Sequence, residues 1–167
     1  IHFITGENSE GLIQCEKAIK SEPRVYEEVT DSLILLKLAQ SYDDKAENKS
    51  HIVKALSRAV TYDVNIYSLI ENDAQLKGYI TQINLTNCFE EYQALDEKNY
   101  DNFISWGNIL KASAASKGNI DILEKALKAY KEAGILADNK DDAIDLQAQA
   151  SMATGLTYYQ IVAYYIN

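Results

Sequence analysis

The stretch Ser105–Ala133, SWGNILKASAASKGNIDILEKALKAYKEA, decides how the rest of the chain is read. Phe103, Trp106, Ile109 and Leu110 fall at helical spacing over residues 101–116, and Leu123, Leu127 and Tyr130 do so over 120–136. Between them "SKGN" is a turn signal, with Gly118 placed where a helix commonly ends. Two helices joined so tightly must run antiparallel. Ala126 and Ala133 form a small lane at the crossing of the pair, where backbones approach closely. Tyr130, the large aromatic beside them, is expected in the gap toward the next pair.

The same ending recurs along the chain. In "CEKAIKSEP", Ala18 is followed by Pro23, which disfavours helix in the residue before it. Ala59, Ala94 and Ala133 are followed at the same interval by Val64, Asn99 and Asp138. The four alanines at 18, 59, 94 and 133 are spaced 41, 35 and 39 residues apart, a near-period characteristic of helical repeats. Helical stripes are read at 9–21, 25–42, 50–61, 65–79, 83–96, 101–116, 120–136 and from about 141 onward, with a break expected at Gly155. "DDKAENKS" and "ADNKD" read as loop and turn, and no segment alternates as a strand does. The chain is therefore expected to be all-α.

These residues resemble the tetratricopeptide repeat family, whose unit of about 34 residues carries Trp, Leu-Gly and Tyr on its first helix and Ala, Phe/Tyr, Ala, then Pro on its second. Ser105–Ala133 matches a whole unit with extra residues around the turn. Residues 24–64 match less closely, and 65–100 poorly. Residues 141–167 match a final unit if Gly155 is its turn and Ala148 its small residue. The resemblance implies hairpins stacked as a short right-handed α-solenoid, with residues 1–167 forming one repeat domain. It also makes 9–23 the second helix of a pair whose first helix lies upstream, so that the chain is a fragment of a longer array. In that family first helices line a groove for peptides. The resemblance places Gln40, Asn108, Lys111 and Gln149 there. Asn108 and Lys111 suit a clamp for a C-terminal carboxylate, but Leu33, Leu36 and Gln40 on the preceding first helix do not complete it.

Composition narrows the chemistry. Of 167 residues, 47% are hydrophobic and 25% charged, with one proline and seven glycines, as expected for a helical globular chain. The net charge of −9 argues against nucleic acid and against an anionic membrane surface. No apolar run is long enough for a membrane span. Cys15 and Cys88 are distant and lack a CxxC pattern, which suggests thiols in a reducing, cytoplasmic setting and no zinc site. Asn48-Lys49-Ser50 and Asn84-Leu85-Thr86 fit the glycosylation pattern but arise readily by chance. Of the two histidines, His51 is expected exposed in a first helical turn. There is no phosphate-binding glycine motif and no nucleophile elbow. The acidic pairs Asp43-Asp44, Glu90-Glu91 and Asp141-Asp142 suit capping and solvation. No catalytic, cofactor or metal site is expected.

The chain has 12 tyrosines, and Tyr158, Tyr159, Tyr164 and Tyr165 crowd its last helix. Residues six apart on a helix differ by about 120° around the axis, so the four rings cannot all enter one neighbour. They belong either to a core shared with further repeats or to a surface for a partner, including self-association. The sequence thus points to an acidic scaffold or adaptor binding a protein or peptide. The alternatives are a ligand-sensing helical bundle and a non-catalytic part of a larger enzyme or transport complex.

Overall fold

The computed structural model describes residues 8–138 and 143–166, and among them the regular structure is helical, without strands. The helices are α1 (Asn8–Ser21), α2 (Ser32–Ser41), α3 (Lys49–Tyr62), α4 (Ile66–Asn72), α5 (Leu85–Gln93), α6 (Tyr100–Lys117), α7 (Ile120–Ala137) and α8 (Ala143–Ile166). Short 3-10 turns cover Val25–Glu28 and Lys77–Gln82.

Three expectations change at helix boundaries. The stripe read over 25–42 is broken, because Val29 and Asp31 are extended and the Asp31 carboxylate accepts from the N–H groups of Leu33 and Ile34, both at 2.9 Å. A side chain that satisfies these first donors starts a helix at that point. The stripe over 65–79 ends at Asn72, because Asp73 accepts from the backbone of Gln75 and Leu76 and turns the chain. No break occurs at Gly155, since α8 runs through it. A mid-helix glycine costs about 1 kcal/mol and does not by itself end a helix. The final hairpin with Gly155 as its turn is therefore absent, and Ala148, its supposed close-packing residue, is exposed. Asp141, Asp142 and His2 lie outside the described residues.

The chain forms two compact units, divided between Asn84 and Leu85. In the first, α1 packs on α2, α2 packs on α3, and α4 touches both α2 and α3. Its core includes Leu35, Leu38, Ala39, Ile52, Leu56 and Ala59. His51 is half-buried and not exposed as expected: its ring stacks on Tyr42 at 5.8 Å and its Nδ1 lies 3.4 Å from the Tyr26 hydroxyl.

In the second unit α5 packs on α6, α6 pairs with α7, and α8 lies along α7. Phe89 and Tyr92 of α5 meet Phe103 and Trp106 of α6, with ring centroids 5.4 Å apart for Phe89–Trp106 and 5.0 Å for Tyr92–Phe103. Trp106 is fully buried. The α6–α7 connection matches its sequence signal. Gly118 takes φ 60° at the end of α6, and the Asn119 side chain accepts from Asp121 and Ile122 to open α7. Ala126 and Ala133 are fully buried, whereas Ala94 is exposed just past α5. Tyr130 lies inside the α6–α7 pair. A Cβ at Gly107 would stand 2.4 Å from its ring, so glycine here permits the ring to rest on the α6 backbone.

Candidate functional site

The groove residues expected from the resemblance are largely engaged within the fold. Gln40, at the end of α2 in the first unit, donates from Nε2 to Asp73 Oδ2 at 2.7 Å, and its carbonyl accepts from Gln75 Nε2. Burial raises the Asp73 carboxyl, but the bonds from Gln40, Leu76 and Gln75 and the charge of Lys37 outweigh it and hold Asp73 below its usual range. Gln40 thus fastens a turn.

The other three lie in the second unit. Asn108 is exposed on α6, and its Oδ1 accepts from the Tyr130 hydroxyl at 2.7 Å. Burial pushes the Tyr130 hydroxyl up to about 12, so it remains a donor at neutral pH. Lys111, one turn along, is half-buried. Gln149, exposed on α8, stands 2.8 Å from the Tyr100 hydroxyl, which also lies 3.0 Å from the Leu146 carbonyl. Tyr100 is buried, so these contacts tie the start of α6 to α8. A groove of about 590 Å³ between α7 and α8 is lined by Tyr130, Lys131, Gly134, Gln147, Ala150 and Thr154 among others.

The four C-terminal tyrosines have a different setting. Tyr158, Tyr159, Tyr164 and Tyr165 retain 45%, 74%, 49% and 70% of their accessible surface, so none is a core residue of this chain. Tyr158 is steadied by Lys131, whose ammonium lies 2.7 Å from its hydroxyl and 5.1 Å from the ring centroid. Tyr164 and Tyr165 meet edge to face at 5.8 Å.

The exposed apolar surface of α8 extends well beyond these rings. Ile144, Met152, Leu156, Val162 and Ile166 are each more than half exposed, while only Ala150 and Thr157 of the helix are fully buried. Sequence reading found the tyrosines but missed Ile144, Met152 and Leu156. The available signal was the near absence of charge: Asp145 is the only charged residue in the 24 of α8.

Among the described residues no group of three His, Cys, Asp or Glu side chains is arranged to hold a metal, and no helix is long and apolar enough to cross a membrane. No family model, no curated protein and no solved structure matches this chain.

Proposed function

We propose that this chain is a protein-interaction scaffold, built from tetratricopeptide-like helical hairpins, that receives an apolar helical segment of a protein on α8 and has no catalysis of its own. The observation that carries the reading is the long, almost uncharged, exposed apolar side of α8. Contiguous patches of this kind mark interaction sites, and tyrosine and methionine are residue types enriched in such contacts. The tight α6–α7 hairpin, with Tyr130 seated on Gly107, supports the repeat-like reading and gives α8 a firm backing.

The test is photo-crosslinking of the full chain from a reactive side chain installed at position 156, beside the exposed rings. It should be repeated with Tyr159→Ser and Val162→Ser combined. Discrete protein adducts that disappear in the double variant, with helical circular dichroism unchanged, are expected. No adducts, or adducts indifferent to the two substitutions, would overturn the reading.

A further inference from the structure

The outward side of α8 carries a second regularity. Ala148, Met152, Gly155, Tyr159, Val162 and Ile166 are all exposed, and their successive intervals are four, three, four, three and four residues. At about 100° per residue these positions share one stripe, on the side of the helix away from buried Ala150 and Thr157. A stripe repeating every 3.5 residues is the seam by which one helix packs lengthwise on another. Large residues occupy one register (Met152, Tyr159 and Ile166, seven apart), and smaller ones occupy the other (Ala148, Gly155 and Val162, also seven apart).

The order of intervals reads the same in both directions. A second α8 laid antiparallel therefore brings every seam position opposite another. Tyr159 meets Gly155 of the other copy, Met152 meets Val162, and Ile166 meets Ala148. The bulkiest side chain faces the residue with none, and every layer pairs a larger residue with a smaller one, as interdigitated layers require. A Cβ at Gly155 would have nothing within 4 Å, so in the single chain this position is open space.

From this geometry we infer that α8 is the isologous interface of an antiparallel homodimer. This inference rests on the interaction reading above and names its partner as a second copy of the chain. Charge agrees. Two chains of net charge −9 repel each other, yet the paired seam itself holds no charged residue, and the charge set against its Tyr158 flank is the cation of Lys131. Area agrees as well. With aromatic side chains offering about 200 Å² each and the others about 100 Å², the exposed fractions of Tyr158, Tyr159, Tyr165, Met152, Leu156, Val162 and Ile166 come to roughly 630 Å², at the lower end of the ~600–1,000 Å² per partner that specific interfaces bury.

Sedimentation equilibrium of the full chain across the micromolar range tests this. A monomer–dimer equilibrium that tightens with added salt is expected, because salt screens the repulsion between acidic bodies. Gly155→Leu fills the hole facing Tyr159 and should raise the dimer Kd about tenfold or more, while helix content stays level or rises. Exchanging large for small, with Gly155→Tyr and Tyr159→Ala together, should bring the Kd back toward that of the parent. A monomer throughout, or a Gly155→Leu variant that dimerises as well as or better than the parent, would overturn the inference. Better association is what parallel helices would give, since Gly155 then faces Gly155. A strictly monomeric chain that still forms Tyr159-dependent adducts with other proteins would sink the dimer and leave the interaction reading standing.

Discussion

Two residues show how single side chains shape this fold. Gly107 is small because the Tyr130 ring occupies the space a Cβ would take, and that ring is buried and held at its hydroxyl by Asn108. Gly107→Ala should therefore cost about 1–3 kcal/mol through overpacking, even though alanine is the better helix former. A denaturation midpoint at or above that of the parent would refute the contact. Asp73 acts through its charge. Its carboxyl is held below its ordinary range by donors that exist only in the folded chain, so its contribution is complete well above the ordinary carboxylate range and is lost as pH falls through the lowered native value. Asp73→Asn should lower the midpoint at neutral pH and flatten its decline on acidification. Parallel midpoint-versus-pH curves for the two proteins would contradict this. Gln40 illustrates a limit of sequence reading. Its helix was found, but a glutamine facing a groove and a glutamine fastened to Asp73 are the same letter, and only the return of α4 beside α2 distinguishes them.

Among the elements, α6 and α7 were the most legible, because each boundary has its own local chemistry: Asn99 and Asn119 as caps and Gly118 as the left-handed end. The segments 25–42 and 65–79 are less continuous than their apolar stripes. Their apolar stripes run on past Asp31 and Asp73, whose side chains redirect the backbone. α8 shows the opposite error, a break expected at a glycine that the helix ignores. Gly155 is exposed, touches nothing through a Cβ, and lacks the positive φ found at Gly118. Gly155→Ala should then stabilise the helix by about 0.5–1 kcal/mol, measured at concentrations where the chain is monomeric. A loss of stability of that size would restore the turn.

For the whole molecule, the unit that begins at Leu85 has its own aromatic core of Phe89, Tyr92, Phe103 and Trp106 closed by the α6–α7 pair. Expressed alone from residue 85 onward, it should give helical circular dichroism and a blue-shifted emission from Trp106, the sole tryptophan. Emission at a solvent-like wavelength would show that this core does not stand by itself. The sequence alone determined that the chain is helical, because periodicity, caps and breakers act over a turn or two and are written in neighbouring letters. It also located the tyrosine-rich end and the close-packed alanines of α7. Only the tertiary structure decided which apolar residues are covered. Burial depends on what returns to lie against a helix from far along the chain: Tyr130 and Trp106 are enclosed by neighbours, while Tyr159, Met152 and Ile166, no less apolar in pattern, face outward from a helix packed on one side.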